Sequence, residues 1–195
     1  MIGIFLDIES NGLNVFEHHA LEIAIKLIDL SSKQTINSYT CIIKQSKDVW
    51  AKSDPESLKV NGLTYSMVEK GKPTEIVSQE IINLFKNHHI SRDNAVYICQ
   101  NPSFDRAFFS QLINPNIQEK NNWPYHWLDL ASMFWALTLQ TYLAKKSLPP
   151  WELGISKNKI AASLKLAPEK EPHRAMQGVE HLIECYFALN VHRHS

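Results

Sequence analysis

Cysteine is scarce. Cys41, Cys99 and Cys185 are the only three. They lie far apart with no C-x-x-C spacing, so no disulfide framework or zinc ribbon is encoded, and a reducing intracellular compartment is the expectation. Excess charge is also missing: Lys+Arg and Asp+Glu are both 20, for a net charge of +0. That excludes reliance on a broad basic surface. Long apolar runs are absent too. The opening MIGIFLDIES is interrupted by Asp7 and has no basic segment before it, and the apolar stretch at 182–191 is too short for a bilayer. The chain is therefore expected to lack a signal peptide and a membrane span and to be cytoplasmic. It shows no internal repeat and no low-complexity tract.

What is present is an ordinary globular composition, 44% hydrophobic and 21% charged over 195 residues, expected to form a single domain across 1–195. Short apolar or alternating runs predict strands at 2–6, 20–28, 34–43 and 95–99. Helices are predicted at 55–60, 74–88, 101–112, 129–143, 157–166 and 174–191. Strands come first and helices follow, with one strand inserted between helices. That order predicts an α/β fold, a mixed sheet flanked by helices. Segments 114–124, 145–154 and 167–172 concentrate Pro, Asn, Lys and Glu and are expected to be flexible.

Three small groups of residues carry chemistry. Asp7 and Glu9 follow the first apolar run two positions apart, so on a strand both carboxylates leave the same face. They suit a divalent metal, or they are simply acids at a strand end in solvent. Asp105, in QNPSFDRAFF, falls in the first turn of a helix, where the dipole alone would favour an acid. His173 precedes the last helix, in PHRAMQGVEHLIECY, where a capping or surface histidine is the plainer reading.

Taken together in this order, the groups are more specific. Asp7 and Glu9 in LDIESNGL, Asn101, Phe104 and Asp105 in the second motif, and His173 in HRA resemble the histidine-type DEDD 3′–5′ exonucleases. That family includes the proofreading subunit of bacterial DNA polymerase III, RNase T and oligoribonuclease. Glu22-Ile23-Ala24, residues 60–64 (VNGLT) and Leu128-Asp129 are weaker echoes, so the likeness spans nearly the whole chain. It implies an RNase H-like fold with a mixed sheet of about five strands. It also implies two Mg2+ or Mn2+ ions on Asp7, Glu9 and Asp105, hydrolysis of phosphodiesters at single-stranded 3′ ends, and His173 as general base. Asn11, Gly12, Leu13, Asn61, Leu63 and Asn101 would hold the terminal nucleotide. Relatives that act as dimers leave a homodimer open. The absence of net charge agrees with single-stranded ends rather than long duplexes.

One position departs from the family pattern. H-x-A-x-x-D calls for a fourth metal-binding acid where this chain has Gly178. Three readings stand: a centre that binds 3′ ends without cutting, replacement by Glu180, or replacement by His181. Glu180 lies roughly 200° round the helix from Gly178. His181 is three residues on, shares a face with Gly178, and leans back over it, so its imidazole is the expected substitute ligand, the plainer reading being an ordinary partly buried histidine. Elsewhere, residues 123–127 (WPYHW) either stack bases or pack a loop on the core. Lys145-Lys146, Lys157 and Lys159 either attract phosphates or, as the plainer reading, are solvated surface.

Overall fold

The computed structural model describes residues 1–145 and 148–191. Lys146 therefore lies outside the described residues. Three strands open the chain, β1 (Ile2–Ser10), β2 (Ala20–Asp29) and β3 (Thr35–Ile42). Four helices follow, α1 (Lys47–Trp50), α2 (Pro55–Asn61), α3 (Tyr65–Val68) and α4 (Thr74–Asn87). Strand β4 (Ala95–Cys99) precedes α5 (Pro102–Leu112) and α6 (Pro115–Lys120). Strand β5 (Trp127–Asp129) leads into α7 (Leu130–Lys145), α8 (Pro150–Leu153), α9 (Lys157–Ser163) and α10 (Ala175–Val191).

The five strands form one sheet in the order β3-β2-β1-β4-β5. β1 is antiparallel to β2, and β2 to β3, whereas β1–β4 and β4–β5 are parallel. The expected α/β arrangement with a mixed, helix-flanked sheet is what the chain adopts. β1 lies at its centre, which is why its apolar run is nearly unbroken. Ile4, Leu6 and Ile8 pack on one face against Phe85 of α4 and Phe108 and Phe109 of α5. Phe5 packs on the other, against Phe134 of α7, Ile160 of α9 and Val179 and Leu182 of α10.

Five elements were not expected: the short helices α1, α3, α6 and α8, and strand β5. β5 has three residues, too few for an alternation pattern to register, and falls where the sequence reads as a loop running into a helix. Tertiary pairing makes it a strand: Trp127 sits opposite Tyr97 in the ladder, their rings stacked at 4.0 Å. α6 occupies part of the segment expected to be flexible, with the Asn114 side chain accepting the Asn116 N–H as its cap.

The sheet positions the site through an inequality of strand lengths. The β1–β4 ladder ends at Phe5↔Ile98, but β1 continues to Ser10, paired beyond that point with β2 alone. Its open edge faces the start of α5, and its helix-facing side meets the start of α10.

Candidate active site

Asp7 and Glu9 project from the β1 extension on the face that carries Phe5, as their two-residue spacing requires. Asp105 reaches the same place from α5. Its carboxylate is 3% exposed and accepts the Ile8 N–H at 3.0 Å, a donor that β4 is too short to occupy. Asn101 turns the chain into α5 in a left-handed conformation, φ 58°, the kind of geometry asparagine tolerates. His173 sits just ahead of α10, its main-chain N–H donating to the Val60 carbonyl at 2.9 Å. Next to it, the Arg174 guanidinium grips both Glu22 carboxylate oxygens at 2.8 and 2.6 Å. Glu22 also accepts the Ala175 N–H at 3.1 Å. A buried carboxylate from β2 thus caps the positive end of α10 and fixes where it begins.

Asp7, Glu9, Asp105 and His173 line a single open cavity of about 300 Å³. Two further side chains project into it. Lys157, at the start of α9, is 12% exposed, and Glu169 only 4%. The Lys157 ammonium lies 2.9 Å from Glu169 Oε1, 3.6 Å from Asp7 Oδ1 and 3.5 Å from the Gly178 carbonyl oxygen. The expectation of Lys157 as solvated surface is therefore corrected. Sequence reasoning missed Glu169 as well. It lies in the loop expected to be flexible, which is pinned by the Glu169 N–H donating to Asn158 Oδ1 at 2.8 Å.

The electrostatics are those of crowded acids in low dielectric. Burial, then repulsion from Asp7, pushes Glu9 up to about 8. Burial raises Asp105 far above the usual carboxylate range, and the Asp7 charge adds to it. Asp7 is raised by burial despite the opposing charge of Lys157. Burial works against the Lys157 ammonium, but Asp7 and Glu169 outweigh it and its pKa rises. Buried acids held this far up call for cations.

Gly178 is the closest approach of α10 to β1. A Cβ there would stand 2.3 Å from Asp7 Oδ2, so the absent side chain is the space that the Asp7 carboxylate fills. His181 does not reach the acids, which corrects its assignment as the substitute ligand. Its Nε2 donates to the Ala167 carbonyl at 2.9 Å, and the ring is 7% exposed between α10 and the loop. Its ring lines a separate cavity with residues 167–170 of the loop, not the one lined by Asp7, Glu9 and Asp105. Glu180 points outward to Lys26 Nζ at 2.8 Å.

The residues expected at the nucleotide separate into two sets. Leu13 is 78% exposed and, with Val60 and Phe104, lines an apolar groove beside Glu9. Asn101 lines the acidic cavity. Of the other four, Asn61 lines the groove with Leu13 while holding the chain together, and the rest turn inward. Asn11 is consumed by bonds to Val49, Ser53 and His19. Asn61 ties the Ser10 carbonyl to the Leu63 N–H. Leu63 is 3% exposed in a satellite core with Leu21 and Val68. Gly12 contributes its carbonyl to the Ser10 hydroxyl. In the aromatic segment 123–127 the two tryptophans pack inward, Trp123 4% exposed against Phe85 and Trp127 covering Tyr97, while Tyr125 is exposed with Arg92 over its ring.

The donor set suits a hard divalent cation, because it is made of carboxylate oxygens from separate elements around one cavity. Glu9 has no hydrogen bond or ion pair among the described residues, so its oxygens are available. Among those residues no three His, Cys, Asp or Glu side chains form a ready-made metal cage. Lys157 and the Ile8 N–H hold two of the acids instead.

The RNase T-type exonuclease family matches residues 4–186. No curated protein matches the chain. Among solved structures, a full-length 3′-exonuclease superposes with TM-score 0.70 at 12% identity, covering 98% of this chain and 60% of that one. Cell-death related nuclease 4 gives 0.73 at 12%, covering 99% and 64%. The zinc-bound E. coli exonuclease I–single-stranded DNA complex gives 0.72 at 17%, covering 99% and 41%. The fold is thus the RNase H-like one of these exonucleases, and the chain spans less than two thirds of each of these structures.

Proposed function

Because the chain belongs to the exonuclease family, we propose that the acidic cavity is the active centre of a 3′–5′ exonuclease of the histidine-type DEDD subclass. It acts on single-stranded DNA or RNA, as one cytoplasmic domain over 1–195. The observation that carries this is the convergence of Asp7, Glu9, Asp105 and His173 on one cavity from positions up to α10. Asp7, Glu9 and Asp105 hold Mg2+ or Mn2+, of which the family pattern implies two. When bound, such an ion polarises the scissile phosphate and lowers the pKa of water.

The chain's own groups do the rest. His173 lines the same cavity as Asp7 and Glu9. It accepts the proton of the attacking water. The main-chain bond to Val60 and the Glu22 clamp on Arg174 fix its approach. Leu13, Val60 and Phe104 seat the terminal base, leaving the phosphodiester on its 5′ side beside Glu9. A homodimer would use the outer apolar face where Trp135 and Tyr142 of α7 meet Trp151 of α8.

A second reading, 3′-end binding without cleavage, draws on the missing acid at position 178. One assay separates the two. 5′-labelled single-stranded DNA and RNA are incubated with Mg2+, Mn2+ or EDTA, comparing the parent with Asp7→Ala. A metal-dependent ladder of shortened products, lost in the variant, is the expected result. Tight binding with intact substrate in every metal would overturn the enzyme reading. No described helix is long and apolar enough to cross a membrane.

A further inference from the structure

We propose that the Lys157 ammonium is a built-in cation standing in for one of the two divalent ions, so that the centre takes a single Mg2+ or Mn2+. This rests on the exonuclease reading and deepens it. The family pattern places a carboxylate at position 178, and this chain has instead removed the side chain there and brought an ammonium alongside.

Three independent features of the structure converge on this. The ammonium is aimed inward: Lys157 is 12% exposed, with Glu169 Oε1, Asp7 Oδ1 and the Gly178 carbonyl at 2.9, 3.6 and 3.5 Å. A lysine that merely covered apolar surface would carry its charge out to water. Next, Gly178 is required by this arrangement. A side chain at 178 would strike the Asp7 carboxylate, 2.3 Å from the nearest possible Cβ, and expel it from the place where it meets the ammonium. Finally, Glu169 is a buried carboxylate outside the family motif, held where the lysine needs it. Its N–H is tied to Asn158, and its loop is fastened at Ala167 by His181 and at His173 by Val60.

The charge pattern gives the consequence. The cavity keeps four carboxylates, Asp7, Glu9, Asp105 and Glu169, but one positive charge is already covalently supplied. A divalent ion placed against Asp7 on the Lys157 side would face that ammonium with two of its ligands, Asp7 and Glu169, already engaged. Glu9 and Asp105 remain for the other ion. Loss of the acid at position 178 is thereby compensated rather than degenerative, and a single metal completes the site.

The test counts ions. Mn2+ is titrated into the metal-free full chain, with free Mn2+ read by electron paramagnetic resonance and heat by calorimetry, for the parent, Lys157→Met and Glu169→Gln. The same samples digest single-stranded DNA, and thermal unfolding checks that each is folded. The parent should bind one Mn2+ per chain, Lys157→Met two, and Glu169→Gln one. A parent that binds two ions and digests DNA overturns the inference while the exonuclease reading stands. A parent that binds no Mn2+ and leaves DNA intact overturns both. Loss of the ion in Glu169→Gln would make Glu169 a metal ligand and overturn the proposal. So would a folded Lys157→Met that still binds one. The parent's count decides the matter even if Lys157→Met does not fold.

Discussion

Raising the pH without divalent ions perturbs the active centre chiefly through Glu9, whose carboxyl is pushed from 4.5 up to about 8 by burial and then by Asp7. In the unfolded chain the same group titrates at its ordinary value. Between those two values the folded protein holds a proton that the unfolded chain has released, so stability falls as pH rises through that window. The effect begins near 4.5 and is complete above about 8. At about 1.4 kcal/mol per unit, Glu9 alone accounts for about 5 kcal/mol over the full window, of which about 4 kcal/mol falls between pH 5 and pH 8. Asp7 and Asp105 are raised as well and act with the same sign. Lys157, raised above its ordinary 10.5, stays charged throughout and does not reverse the trend. The assay is urea unfolding in EDTA at several values from about pH 5 to pH 8, for the parent and Glu9→Gln. The parent should lose several kcal/mol across the range, and Glu9→Gln about 4 kcal/mol less. Mn2+ added at the upper end should restore the parent by binding the ionised carboxylates. Stability that is flat or rises with pH in EDTA, or equal slopes for parent and variant, would refute the reasoning.

Arg174→Ala strips the bidentate partner from a Glu22 that is 5% exposed and faces Glu9 across the ladder. It should cost about 2–4 kcal/mol in urea unfolding. The double change Arg174→Met with Glu22→Gln should recover much of that loss, and equal costs would contradict the capping role. Gly178→Asp restores the family's acid in name, but its Cβ arrives 2.3 Å from Asp7 Oδ2. Displacing that carboxylate should lower stability by about 1–3 kcal/mol and slow digestion of single-stranded DNA. A faster enzyme would show that the position had kept its ancestral function. His181→Ala removes a buried ring and its bond to Ala167, so unfolding should cost about 1–3 kcal/mol less free energy. Its Mn2+ count by calorimetry should equal the parent's, and a lost ion would return His181 to the metal.

The major elements were legible because their signals are local. Strands β1 to β4 follow from apolar runs and alternation, and the long helices α4, α5 and α10 from apolar periodicity bounded by Pro, Asn or a polar loop. The three-residue β5 left no pattern of its own and exists because Tyr97 and the β4 edge accept it. Within the site, Asp7, Glu9, Asp105 and His173 were legible because each belongs to a short motif with fixed spacing, and all four line one cavity. Which of the neighbouring residues turn a side chain to the groove was not legible: Asn61 lines it with Leu13, whereas Leu63 is buried in a satellite core.

The sequence by itself determined the sheet's central strand, the class of fold, the acids and histidine available for catalysis, and the vacancy at 178. Only the tertiary structure decided what answers that vacancy. Lys157 and Glu169 sit 150 and 162 residues beyond Asp7 and carry no local mark distinguishing them from solvated charges. They become part of the centre when α9 and its following loop pack against α10, burying an ammonium beside Asp7. The same loop takes up His181, whose ring bonds the Ala167 carbonyl. A side chain's partner is set by what packs against it, and periodicity along one helix does not contain that.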